Sequence, residues 1–336
     1  MQHEQGITKR IFIKAASLKE WFDSPRGKRL QQWISAGLSI LILLLLAESI
    51  AALGWRQVVA ALPSNPLFWL LFAGSYLLLP ITDFIIYRRW WPLTAGDFGL
   101  FLKMRVMNEA LFSYSGHTYL LVRAAALLGI DFDPDAPSKP IMGRGEGHGL
   151  DPRTSPLAAV KDMAITSGLA GNLTTLAMLL LAIAMGGGAV ITRAMDPSTV
   201  SVLLWSFGAM IVLNLGIVAF RHRVMSIPTR ENMRAFWWHL FRVNGAHMLF
   251  VASWVAALPM IPFGTWFLLG ALRMVIGRMP VPNKEILFAA IAVQLTGDAS
   301  VEVAALMAAQ GALYLLFHVA AWLVASVLER RQVAVA

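Results

Sequence analysis

Apolar residues occur along this chain in long continuous runs rather than in alternation with polar ones. Several runs are close to the roughly 20 residues that a helix needs to cross a bilayer. Strands of a membrane barrel would alternate over about ten residues, whereas LSILILLLL and TLAMLLLAIAM are unbroken. The pattern predicts an all-α, polytopic integral membrane helix bundle of about eight helices, some of them broken or re-entrant. The runs without a charged residue cover about 33–47, 66–82, 163–192, 197–220, 248–272 and 303–328.

Composition supports a membrane protein and excludes several other classes. Hydrophobic residues make up 57% of the 336 residues, charged residues 14%, and the mean hydropathy is +0.63. The absence of cysteine rules out disulfides, iron–sulfur clusters and thiolate metal sites. The net charge of +9 is typical of Lys and Arg that orient a membrane protein and contact anionic lipid. We therefore expect membrane phospholipid as a partner, and neither nucleic acid, a cofactor nor a metal.

The positions of Lys and Arg divide the chain and orient it. Residues 1–32 form a basic segment that we predict to be cytoplasmic, followed by a transmembrane domain at 33–330 with a polar cytoplasmic loop at 131–156. Basic segments at both ends favour cytoplasmic termini and a multi-pass protein in a bacterial inner membrane. The first segment is either a solvated tail or an interfacial amphipathic helix, with one apolar face formed by Ile11, Ala15, Leu18 and Phe22.

Two regions, one in each half of the chain, combine ionisable residues with helix-breaking residues. In the first, Ser115 and Gly116 interrupt an apolar stretch, which predicts two short helices, about 98–113 and 117–130. An uninterrupted helix with snorkelling arginines is the alternative. In the second, Pro280 and Pro282 interrupt the chain between Arg273 and Glu302. Interrupted apolar segments at corresponding places in two halves indicate a transport site.

The candidate substrate-binding residues come from these two regions. A charge at membrane depth costs from about 2.5 kcal/mol upwards unless it is paired or hydrated. We therefore predict that the two regions meet near the midplane in one hydrophilic cavity, lined by Arg105, Glu109, Arg123, Arg273, Asp298 and Glu302. The alternative is that each arginine reaches separately to its nearest interface, and Lys284 and Glu285 are equally compatible with plain interfacial positions. The full candidate set is Arg105, Glu109, Ser115, His117, Arg123, Arg273, Lys284, Glu285, Asp298 and Glu302.

Three segments carry a resemblance to a known family. They are MNEALFSYSGHTYLLVRAA, KDMAITSGLAGNLTTLAMLLLAI and LRMVIGRMPVPNKEILFAAIAVQLTG. The order of these segments and their pattern of apolar and polar residues resemble the transmembrane region of the lysylphosphatidylglycerol synthetases. That region is the flippase-like family of bacterial membrane proteins. The resemblance implies an inner-membrane protein of about eight helices that binds or moves a phospholipid. It implies no aminoacylation, because the soluble transferase domain of the fused relatives is absent.

The leading functional hypothesis is therefore a phospholipid translocator. Arg105, Arg123 and Arg273 would hold the lipid phosphate, since the guanidinium fork can bind phosphate oxygens bidentately. The carboxylates of Glu109, Asp298 and Glu302 would orient these arginines or contact an amino headgroup. No H-E-x-x-H, G-x-S-x-G or P-loop motif is present, so we predict no catalytic residues and favour a transporter over an enzyme. Two alternatives stay open: an intramembrane lipid-modifying enzyme and a non-catalytic membrane subunit. The chain could act with a second copy of itself or with another membrane protein.

Overall fold

The structure is a computed structural model that describes residues 59–60, 62–110, 114–129, 149–189, 197–278 and 284–335. Every regular element within these ranges is helical, and none is a strand. The basic segment at 1–32 and the first predicted span, about 33–54, lie outside the described residues. The α-helices are α1 (Pro66–Arg88), α2 (Phe98–Ala110), α3 (Ser115–Leu127), α4 (Pro156–Ala182), α5 (Pro197–Ala219), α6 (Arg221–Val224), α7 (Thr229–Ala257), α8 (Phe263–Arg278), α9 (Lys284–Thr296) and α10 (Ser300–Val335).

Four of these helices are long and apolar enough to cross a membrane: α1, α4 with its π-helical extension to Gly187, α7, and α10 as far as Arg330. This confirms the predicted all-helical class and fits a membrane protein. The total of about eight helices stays a prediction, because part of the chain is not described.

Helices α1 and α7 pack antiparallel along their whole length. Asn65 donates to the carbonyl of Ala256 at one end, and Arg89 pairs with Glu231 at the other. Helix α7 is continuous over 29 residues. The basic amphipathic stretch RENMRAFWWHLFR predicts a cytoplasmic link, with a separate span that begins at Asn244, and this division is wrong. Arg242 does not end the helix because it is neutralised inside the bundle by Asp83.

Helix α4 lies parallel to α7 and contacts it through polar side chains. Asn232 Nδ2 donates to Asp162 Oδ2 (3.1 Å), and Asn244 Nδ2 donates to Thr174 Oγ1 (2.9 Å). Asp162 also accepts from the backbone N–H groups of Ser226 and Ile227, both at 2.8 Å. These bonds fix the turn that precedes α7 against the start of α4.

Arginine and lysine residues gather where α1 ends and where α4 and α7 begin. We call this side of the bundle the basic end, and the side where α1 begins and α7 ends the opposite end. The basic end carries Arg88, Arg89, Arg153, Lys161, Arg221, Arg223, Arg230 and Arg234. A one-sided distribution of this kind sets the orientation of membrane helices.

Helices α2 and α3 form an antiparallel hairpin that enters from the basic end. Each has 13 residues, about 20 Å, which is shorter than the roughly 30 Å hydrocarbon core. The prediction of two short helices is confirmed, and the break lies at Tyr114, next to the predicted Ser115 and Gly116. Ser115 Oγ donates to the carbonyl of Met107 (2.7 Å), and Asn108 Oδ1 accepts from the N–H of Gly116 (2.9 Å).

Gly116 is required for the close approach of the two helices. A Cβ atom at this position would lie 2.0 Å from the carbonyl oxygen of Met104. We expect Gly116→Val to destabilise the protein by about 1–3 kcal/mol, because the hairpin must open to admit the side chain. Thermal unfolding in detergent measures the effect. Gly168→Ala is the matched control, since a Cβ at Gly168 meets nothing within 4 Å; an equal loss in both variants would contradict the packing argument.

A second pair of short helices, α8 and α9, enters from the opposite end. Helix α8 follows α7 after the turn at 258–262 and runs back against α4 and α7, and α9 packs on α8. The apolar stretch from Ile286 to Leu295 is only about ten residues long, which predicts a segment too short to cross. The structure confirms this, because α9 has 13 residues. The fold thus places one short helix pair at each end of the bundle.

Candidate functional site

A buried polar cluster lies where α1, α2 and α10 meet. Arg105 Nη2 is 2.9 Å from Glu109 Oε1, and Arg105 Nη1 donates to the carbonyl of Tyr76 (2.5 Å). The guanidinium also lies over the ring of Tyr76, 4.1 Å from its centroid. His318 joins the two sides, with Nε2 3.3 Å from Glu109 Oε2 and Nδ1 2.7 Å from Tyr76 Oη. The ring of Tyr314 lies 6.0 Å from that of Tyr76 and 5.8 Å from that of His318. We call Tyr76, Arg105, Glu109, Tyr314 and His318 the Arg105 cluster.

Helix periodicity brings these residues together. Arg105 and Glu109 are one turn apart on α2, and Tyr314 and His318 are one turn apart on α10, so each pair projects from one face. Tyr76 is ten residues from the start of α1 and twelve from its end, which places it about 15 Å from the opposite end. The Arg105 cluster therefore lies near the middle of the longest helices.

Arg273 on α8 adds a second cation beside the cluster. Its guanidinium carbon lies 4.7 Å from the ring centroid of Phe250 and 5.8 Å from that of Tyr314. Its charge is close enough to interact with Glu109. Two guanidinium groups, those of Arg105 and Arg273, therefore lie close to the carboxylate of Glu109. Helices from both halves of the chain thus contribute cations to one site.

The site is open on the side of Glu109. The side chain of Arg105 is 5% exposed and that of His318 is 6%, whereas Glu109 is 35% exposed. Tyr114, at the tip of the α2–α3 hairpin, is 59% exposed and is the one described non-glycine residue with a positive φ, 73°. Such backbone strain persists where surrounding contacts impose it, often at functional sites. The hairpin tip therefore carries an exposed aromatic ring, and the ion pair on α2 is partly open.

A second buried ion pair lies nearer the basic end. Asp83 accepts from Arg242 Nη1, and Arg242 Nη2 donates to Ser167 Oγ (2.7 Å). His239 is 1% exposed, and neither of its ring nitrogens has a hydrogen-bond partner among the described residues. From the sequence alone Asp83 is expected to pair with Arg88 or Arg89, but its partner in the structure is Arg242. This pair links α1, α4 and α7, and its charges balance.

Two of the predicted site residues, Ser115 and His117, make their contacts within the α2–α3 hairpin. Ser115 is buried and bonded to the α2 backbone. His117 Nδ1 lies 3.2 Å from Asn108 Nδ2 and its ring is 5.5 Å from that of Tyr114. Both residues connect α3 to α2 and are not part of the Arg105 cluster.

The predicted single cavity that includes Arg123 and Glu302 is wrong. Arg123 is exposed on α3 and lies near Tyr119, whose hydroxyl donates to Glu329 Oε1 (2.6 Å). Lys103 Nζ binds the other oxygen of Glu329 at 2.5 Å. Glu302 is also exposed, and it lies 27 residues before Glu329 on the continuous α10, a separation of about 40 Å along the helix.

Three further candidates lie in α9 and the turn after it. The backbone of Lys284 and Glu285 is helical, and Asp298 lies in the 3₁₀ turn Gly297–Ala299. Their side chains are outside the described part of the structure. Their assignment to the site stays a prediction.

Sequence reasoning missed three members of the Arg105 cluster. Tyr76, Tyr314 and His318 each lie within an apolar run. An isolated aromatic residue or histidine in such a run usually packs in the core and does not by itself indicate a binding site. The available signal was the four-residue spacing of Tyr314 and His318, which matches that of Arg105 and Glu109 and predicts two faces able to meet.

Comparison with protein families, with curated proteins and with solved structures finds no match to this chain. The functional inference therefore depends on the arrangement of the side chains.

Proposed function

We propose that this protein is a phospholipid translocator whose Arg105 cluster and Arg273 bind the phosphate of an anionic or zwitterionic headgroup. The observation that carries the proposal is the convergence of two guanidinium groups, those of Arg105 and Arg273, on Glu109 near the middle of the bundle. Charges at membrane depth are costly unless they are paired. A phosphate group has enough oxygens to pair with both arginines.

The proposed orientation places the basic end in the cytoplasm, as the Lys and Arg distribution favours. The α2–α3 hairpin then enters from the cytoplasmic side, and the α8–α9 pair enters from the other side. Each helix is too short to cross alone, so their inner ends approach the midplane. Short helices that meet at a midplane polar site are a recurring arrangement in secondary transporters.

Exchange of ion-pair partners is the proposed means of binding. In the described structure Glu109 contacts both Arg105 and His318. An entering phosphate would take the place of Glu109 beside one arginine, while Glu109 keeps its contact with the other or with His318. Bidentate contact with guanidinium suits phosphate oxygens. The acyl chains stay in the bilayer, so only the headgroup enters the site.

Reconstitution tests this function. The purified protein is placed in vesicles that contain a phospholipid labelled with a fluorophore on one acyl chain, and a membrane-impermeant reductant quenches the label in the outer leaflet. We expect the protein to raise the fraction quenched above the half that protein-free vesicles show. The same lipid is then extracted and chromatographed. A changed lipid species would indicate an enzyme, and an unchanged leaflet distribution with no new species would contradict the translocator.

A further inference from the structure

A pocket at the basic end adjoins an exposed aromatic surface. The pocket has a volume of about 340 Å³ and lies between the end of α1 and the start of α7. A shallower apolar groove runs along α7 beside it. Arg234 and Trp238 line both the pocket and the groove, so the two are continuous.

The pocket contains a guanidinium group that its own carboxylate does not fully satisfy. Glu231 accepts from Arg89 Nε (3.0 Å), from Arg89 Nη2 (3.3 Å) and from Trp90 Nε1 (3.2 Å). Arg234 Nη1 is 3.7 Å from Glu231 Oε1, is buried, and has no hydrogen-bond partner among the described residues. With Arg230 in the groove, the pocket and the groove together are lined by three arginines and one carboxylate. The lining therefore has spare donors and a net positive charge.

The groove is apolar and uncovered by the described part of the chain. Its exposed side chains are Met233, Trp237 and Phe241, of which Trp237 is 60% exposed. Aromatic rings beside arginines at the end of a membrane helix are typical of the headgroup region of a bilayer. An exposed apolar surface rimmed by polar residues marks an interaction site.

From this arrangement we infer a binding site for an anionic phospholipid, with the phosphate in the pocket at Arg89 and Arg234 and an acyl chain along Met233, Trp237 and Phe241. The site is independent of the proposed translocation, because it shares no residue with the Arg105 cluster and lies at the end of the helices. Charge argues against the basic segment at 1–32 as the occupant, because that segment carries seven Lys and Arg against three acidic residues. An anionic lipid is attracted by the same lining.

Native mass spectrometry of the full chain tests the site. The protein is released from detergent that contains phosphatidylglycerol or, in a parallel sample, phosphatidylcholine. We expect phosphatidylglycerol adducts on the wild type, and at least tenfold fewer on Arg89→Gln/Arg234→Gln. Arg223→Gln, which removes another basic-end arginine outside the pocket, should keep the adducts. An equal loss of adducts in Arg223→Gln, or wild-type adducts in the double variant, would overturn the site.

Two further measurements identify the occupant. Excess inorganic phosphate should leave the lipid adducts in place, because the groove contributes to binding; if phosphate displaces the lipid and binds alone, the lipid assignment fails. A photoreactive benzophenone amino acid in place of Trp237 should cross-link to phospholipid in membranes. Cross-links to residues 1–58 instead, or no cross-link at all, would show that the groove is not a lipid site.

Discussion

Asp83→Ala should lower the free energy of unfolding by about 3–5 kcal/mol. The side chains of Asp83 and Arg242 are 10% and 8% exposed, and the substitution leaves the guanidinium buried without its counter-ion, a change that costs this much in folded proteins. Arg242 also bonds Ser167, so the loss weakens the contacts among α1, α4 and α7. Unfolding by a denaturing detergent, followed by circular dichroism, measures the change.

A matched pair at the surface provides the control. Arg89 and Glu231 also join α1 to α7, but the Arg89 side chain is 48% exposed, so Glu231→Ala should cost less than about 1 kcal/mol. Combining Asp83→Ala with Arg242→Met removes both buried charges and should restore most of the stability. If the double variant is no more stable than Asp83→Ala, the unpaired cation is not the cause of the loss.

Arg273→Gln should reduce lipid translocation about tenfold or more. The substitution removes one positive charge from the site and with it a charged hydrogen-bond donor, and such a donor contributes about 1.5–3 kcal/mol. Arg273 packs against the rings of Phe250 and Tyr314, which the amide side chain still contacts in part. The dithionite-quenching rate of labelled lipid in vesicles, per mole of folded protein, measures the effect.

Arg123→Gln is the matched control for this prediction. Arg123 is an exposed arginine near Glu329 on the hairpin helix α3, outside the Arg105 cluster, so its replacement should leave the rate within a factor of about two of wild type, because surface charge changes are small in effect. Arg273→Lys should keep an intermediate rate, since it keeps the charge and loses the guanidinium fork. Equal rates in Arg273→Gln and Arg123→Gln would remove Arg273 from the binding site.

Local features of the fold could be predicted from the sequence where the chain itself imposes them. Ser115 and Gly116 are poor helix residues, and the hairpin does break beside them, at Tyr114. Pro259 and Pro262 similarly mark the end of α7 before α8 begins. The division of α7 was wrong because a cationic amphipathic stretch and an apolar stretch look like two elements until the buried partner of Arg242 is known.

The candidate site was only partly predictable, because it depends on which helix faces meet. Arg105 and Glu109 were found as ionisable residues in an apolar region, and four-residue spacing predicts that they pair, as the structure has it. His318 is 209 residues from Glu109, and nothing local indicates that α10 packs on α2. Arg123 and Glu302 are also ionisable residues of the same two regions, yet helix rotation and helix length place them away from the Arg105 cluster.

The absence of cysteine from the chain permits a direct test of whether a lipid headgroup reaches the hairpin tip. Tyr114→Cys and Leu77→Cys are reconstituted with a phospholipid that carries a maleimide on its headgroup. Both parent side chains are exposed, and Leu77 follows Tyr76 on α1 but lies on the outer surface. We predict a lipid adduct at Tyr114→Cys that unlabelled lipid suppresses, and little at Leu77→Cys. No adduct at Tyr114→Cys, or equal adducts at both positions, would contradict headgroup binding at the Arg105 cluster.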